Sequence, residues 1–73
     1  MPKLPVVSGA QAVRAFERAG WRMDRQRGSR VVMLKPGHIA SLSIPQHREL
    51  APDTLRSLIR AAGMTVEEFR HLC

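Results

Sequence analysis

The chain contains a single cysteine, Cys73, and it is the last residue. That scarcity excludes an internal disulfide and any zinc site assembled from several thiolates, and it fits a reducing, cytoplasmic setting. No apolar run approaches the roughly 20 residues of a membrane-spanning helix. The opening stretch from Met1 to Val7 is too short and too interrupted, by Pro2 and Pro5, to serve as a secretory leader. Repeats and low-complexity segments are missing as well. Length is itself in short supply: 73 residues support one core, so residues 1–73 are expected to form one domain. Ordering each residue costs about 1.5 kcal/mol, which commits nearly all the hydrophobic side chains to that core and leaves few for a deep pocket.

Negative charge is scarce too. Six Asp plus Glu face twelve Lys plus Arg, a formal net charge of +6. An excess of this size favours a polyanionic partner. Ten of the twelve cations are arginine, whose planar fork grips phosphate through two hydrogen bonds and stacks on bases; a surface that only needed solubility would carry more lysine. Nucleic acid is therefore the leading ligand class, although arginine enrichment from GC-rich coding explains the composition equally well.

Hydrophobic spacing predicts the elements. Ser8 and Gln11 form a capping-box pattern ahead of a helix from Gly9 to Ala19, with Val13 and Phe16 on its apolar face and Gly20 as its stop. From Trp21 the period changes to two, with Trp21 and Met23 alternating against Arg22 and Asp24. Gly28-Ser29 marks a hairpin turn into Arg30–Leu34. Pro36-Gly37 marks another turn, beyond which Ile39–Ile44 alternates, with Ala40, Leu42 and Ile44 on one side and Pro45 as terminator. Pro52 opens a second helix carrying Leu55, Leu58, Ile59 and Ala62 on one face. A second capping box, Thr65 with Glu68, starts a short final helix in which Met64 and Phe69 hold the staple positions. The fold class is thus α+β: helix, three-stranded antiparallel sheet, helix, short C-terminal helix. Trp21, after a helix-ending glycine, is expected in the core rather than as a stacking platform. His38 falls in a turn and is expected to be solvated. His71 and Cys73, two apart at a helix end, do not face each other as metal ligands would.

Several local motifs occur in a telling order: Gly20-Trp21, Arg25-Gln26-Arg27-Gly28-Ser29, Pro45-Gln46-His47, Thr54-Leu55-Arg56-Ser57-Leu58-Ile59, Ala62-Gly63 and Glu67-Glu68-Phe69. In this order and spacing, from about Gly9 to Leu72, the chain resembles the HicA family of bacterial toxins. The resemblance implies a fold like that of double-stranded-RNA-binding domains, an endoribonuclease that cuts messenger RNA (an mRNA interferase) without a cofactor, and inhibition by a partner antitoxin, HicB. It also implies a catalytic histidine in a Gly-Ser-His motif at the start of the second strand. This chain reads Gly28-Ser29-Arg30 there.

The departure has a chemical consequence. Metal-free RNA cleavage needs one group to take the 2′-hydroxyl proton and another to protonate the leaving oxygen, work suited to a group titrating near neutrality. Arginine stays protonated; it can stabilise a phosphate but cannot act as a base. The expectation is a chain that binds RNA but is inactive as an enzyme. Arg30 is either native or a substitution that silences a growth-stopping toxin, and the retention of Gly28, Ser29, Pro45 and His47 around it favours substitution. His47 is a candidate phosphate ligand, second proton carrier or loop cap. Arg22, Arg25, Arg27 and Lys35, with Ser29 in the turn, form the candidate RNA-binding surface, since only Asp24 opposes the charge there. Two other readings stand beside the toxin: a non-catalytic RNA-binding module of the same fold, and an interaction protein whose basic face meets acidic side chains of HicB.

Overall fold

The structure, a computed structural model, describes residues 3–73. Ser8 begins the first helix by reciprocal bonding: its Oγ accepts from the Gln11 N–H at 3.0 Å, and its own N–H donates to Gln11 Oε1 at 2.8 Å. Helix α1 (Gly9–Arg18) follows and stops before Gly20, whose φ of +97° carries the chain out of the helix. Its inward face is Ala12, Ala15 and Phe16, all fully buried, with Val13 only partly covered. The apolar stripe is thus made of smaller residues than the Val13–Phe16 pair expected from spacing. Small residues there let the helix lie close to the sheet.

Three strands, β1 (Arg22–Arg27), β2 (Arg30–Leu34) and β3 (Leu42–Pro45), form an antiparallel sheet in the order β1-β2-β3. The first pair is joined by Gly28-Ser29. Gly28 has a φ of +59° while Ser29 does not take a positive φ, the sign pattern of a type II′ hairpin turn. Strand β3 is shorter than the alternation from Ile39 suggests. Its last cross-strand pair is Met33 with Leu42, and the Lys35 carbonyl already accepts from the His38 N–H, so residues 39–41 have no strand to join. Ile39 and Ala40 are exposed accordingly.

Register explains which side chains are buried. Residues directly opposite each other in an antiparallel pair share a face. Val31 and Met33, opposite Ile44 and Leu42, point toward the helices and form the centre of the core. Met23 lies opposite Met33 but is 55% exposed, contrary to the inward position that its alternation with Trp21 suggests. Helix α1 approaches the edge strand β1 without burying any of its residues, whereas β2 and β3 each bury side chains. Trp21, just before β1, is buried as expected.

Helix α2 (Pro52–Ala61) has proline at its first position and buries Leu55, Leu58 and Ile59, with Ala62 just beyond. Helix α3 (Val66–Leu72) carries the second capping box, with Thr65 Oγ1 accepting from the Glu68 N–H at 3.1 Å. Its Phe69 packs on Phe16, ring centroids 5.0 Å apart, and Met64 lies partly buried against the same core. The molecule is α+β, with the order of elements read from the sequence. No helix among the described residues is long and apolar enough to cross a membrane.

Candidate functional site

The open face of the sheet is where the arginines gather. Arg30, Val32 and Leu34 alternate with the core residues of β2 and therefore face away from the helices. Opposite them on β1 stand Arg27, Arg25 and Arg22. Arg22 and Arg25 are three apart, a spacing that in a regular strand puts side chains on opposite faces. A bulge between Met23 and Arg25 resets the alternation, leaving Asp24 unpaired and returning Arg22 to the face of Arg25 and Arg27. Four arginines consequently share one surface. All four are exposed.

Their local charges are unevenly balanced. Arg25 is bonded to Asp24, Nη1 to Oδ2, at 2.5 Å. Arg27 and Arg30 are direct cross-strand partners, and like charges so placed repel. Among the described residues the Arg30 side chain makes a single, long hydrogen bond, 3.4 Å from Nη1 to the Ser43 hydroxyl. An anion lying between these two guanidiniums relieves their repulsion and satisfies their free N–H groups. Lys35 is not part of this surface: it is half-buried, its Cε lying 3.3 Å from where a Cβ on Gly20 would sit.

His47 reaches the turn end of the hairpin through the backbone. Arg30 pairs with Pro45, and the Gln46 N–H donates to the Ser29 carbonyl at 2.6 Å, so His47 follows immediately after the contact with the Gly28-Ser29 turn. The same segment is tied to α1. The Gly9 N–H donates to the His47 carbonyl at 2.9 Å, and Leu50 N–H donates to the Val7 carbonyl at 2.8 Å. A Cβ on Gly9 would lie 2.2 Å from the Pro45 carbonyl oxygen and 2.8 Å from the Gln46 Cα, an approach only glycine permits. The His47 ring is exposed and makes no hydrogen bond among the described residues. Sequence reasoning missed this clamp; its one signal was a glycine inside the first turn of an otherwise favourable helix.

His38 differs from its expected solvated state. Its Nε2 lies 2.9 Å from the Ala61 carbonyl, and its ring meets Trp21 edge to face at 5.0 Å. Trp21 therefore offers no face for a base, and its own Nε1 has no acceptor among the described residues, which leaves apolar bulk as its contribution. At the other end of the chain, His71 Nε2 stands 3.7 Å from Glu67 Oε1. Burial pushes the Cys73 thiol above its ordinary pKa against the opposing effect of Arg18, so the cysteine is a poor nucleophile.

The fold and this surface together define a small α+β protein with an arginine-clad sheet and a histidine held at its corner. A family model described as the HicA toxin of bacterial toxin-antitoxin matches residues 9–64, well over half of the chain. The chain belongs to the HicA toxin family. No curated protein matches it. The matched span begins at the clamp glycine and includes the hairpin, Pro45–His47 and α2; Glu67-Glu68-Phe69 lies beyond it. Membership brings with it an antitoxin partner.

Proposed function

We propose that the chain is the RNA-binding scaffold of an mRNA interferase, an endoribonuclease toxin in which residue 30 is the catalytic position and arginine there leaves binding without cleavage. The observation that carries this reading is the facing pair Arg27 and Arg30 on an open sheet surface with one carboxylate, itself already bonded to Arg25. A phosphodiester placed between them has its charge stabilised by two guanidiniums. In cleavage, the 2′-hydroxyl loses its proton to a base, its oxygen attacks phosphorus, and the bond from phosphorus to the 5′-oxygen breaks as that oxygen gains a proton. A histidine at position 30 would supply the base; His47 is the candidate for the second proton carrier. Arg30 stabilises the phosphate and takes no proton. The reaction on this reading uses no cofactor and takes place in the cytoplasm, and HicB silences the toxin by masking the arginine surface with acidic side chains.

Ser29 contributes turn geometry and a backbone contact to Gln46, with Arg22, Arg25 and Arg27 binding phosphates along the strand. The binding half of the reading is tested by titrating labelled single-stranded RNA across a range of salt. Arg25 and Arg27 replaced together by alanine are expected to flatten the slope of log affinity against log salt by about 1.4, two phosphate contacts at about 0.7 each. An unchanged slope and affinity would remove the arginine face from RNA recognition. A non-catalytic RNA-binding module is the second reading, and Arg30 itself is what favours it.

A further inference from the structure

A depression of about 480 Å³ opens where β1 begins and β2 ends, the opposite end of the hairpin from residue 30. The apolar Met23, Leu34 and Pro36 line it together with the basic Arg22 and Lys35 and with His38. Met23 and Leu34 are two of the few large hydrophobic side chains left exposed, at 55% and 43%. A domain this small needs its apolar side chains in the core, so two left exposed at one corner, Met23 from the helix-facing side of the sheet and Leu34 from the open side, mark an interaction site. The wall of the depression is already fixed. His38 is held by the Ala61 carbonyl and the Trp21 ring, and its N–H closes a turn onto the Lys35 carbonyl at 3.1 Å. A preformed wall spares a partner the ordering cost of building one.

The lining selects the occupant. A nucleobase stacks best on a large aromatic face, but Trp21 is buried and the smaller His38 ring is the one aromatic group lining the depression, fixed edge to face against Trp21. A second copy of the chain would bring another net charge of +6, and the edge of β1 carries the bulge and arginines that discourage edge-to-edge pairing. An acidic protein segment meets neither obstacle. Asp24, the one carboxylate beside the depression, is bonded to Arg25, which leaves Arg22 and Lys35 to receive carboxylates. We propose that this corner is the anchoring point for the antitoxin: a bulky apolar side chain of an acidic segment seats on Met23, Leu34 and Pro36, and flanking carboxylates meet Arg22 and Lys35. Methionine suits such a seat because its flexible thioether adapts to the shape it receives. The inference rests on the reading of the chain as a toxin held by an antitoxin, and not on RNA cleavage. With β1 rising about 3.3 Å per residue, the anchor lies roughly 15 Å from the turn end of the hairpin. The apolar seat of the antitoxin is thus separable by mutation from the RNA site at the turn end, with Arg22 common to both surfaces.

The test combines Met23→Ser with Leu34→Ser, two neutral changes at exposed positions, and measures the Kd for the cognate antitoxin by calorimetry and the Kd for labelled RNA by anisotropy. Antitoxin affinity is expected to fall at least about tenfold, as for loss of an interface anchor, while RNA affinity stays within about twofold. Leu34→Ala alone, which removes bulk without adding a polar group, is expected to weaken antitoxin binding about threefold. Antitoxin binding that survives both variants overturns the anchor alone; no antitoxin binding by the unaltered chain overturns the toxin reading with it. RNA affinity falling while antitoxin affinity holds assigns the corner to nucleic acid and overturns the proposal. So does a free chain that sediments as a dimer and dissociates on the same substitutions.

Discussion

The two edge strands of the sheet are built in opposite ways. Strand β1 has six residues and buries none, whereas β3 has four and buries Leu42, Ile44 and Pro45. Strand β3 runs straight into the segment clamped by Ser29 and Gly9; β1 pairs in the sheet with β2 alone and carries three arginines, a bulge and an exposed methionine. Stability is therefore concentrated where the sheet buries its side chains, and the exposed β1 edge is free to carry charge. An edge with little packing to lose can hold repelling arginines at small cost to the fold.

Met23 and Met33 make the sharpest test of this division, because they are cross-strand partners of the same residue type, one 55% exposed and the other fully buried. Met33→Ala is expected to cost about 2–5 kcal/mol in urea unfolding, the range for a truncated core methionine. Gly9→Ala comes next, at about 1–3 kcal/mol, since the added methyl meets backbone at Pro45 and Gln46 rather than a side chain that can swing away. It should also loosen the bond from the residue 9 amide to the His47 carbonyl, seen as faster hydrogen exchange at that amide than in the unaltered chain. Met23→Ala closes the series at no more than about 0.5 kcal/mol. If the two methionine variants cost alike, the claim that the β1 edge lies outside the core is wrong.

What the sequence revealed and what it hid divide along the same line. Both capping boxes, the Gly28-Ser29 turn, the proline start of α2 and the burial of Trp21 and Phe69 were legible because each is written in residues a few positions apart. Long-range geometry was not legible. The bulge that turns Arg22 toward Arg25 depends on the partner strand, and the docking of His38 depends on Ala61, far along the chain. Alternation placed Met23 inward, but how far the helices reach over a sheet is not encoded in the strand's own pattern. Arginine clustering was visible as composition, yet only register showed that Arg27 faces Arg30 while Lys35 turns aside.

The central claim is that residue 30 is the catalytic position of a toxin scaffold that still binds RNA. Its most direct test is Arg30→His. The unaltered chain and the variant, both confirmed folded by circular dichroism, are incubated with labelled single-stranded RNA in excess chelator. The account predicts binding by both and cleavage by the histidine form alone, favoured near neutral pH where imidazole exchanges protons. A folded Arg30→His protein that binds RNA and leaves it intact would contradict the account, as would equal cleavage by both forms, which would move the catalytic position to His47.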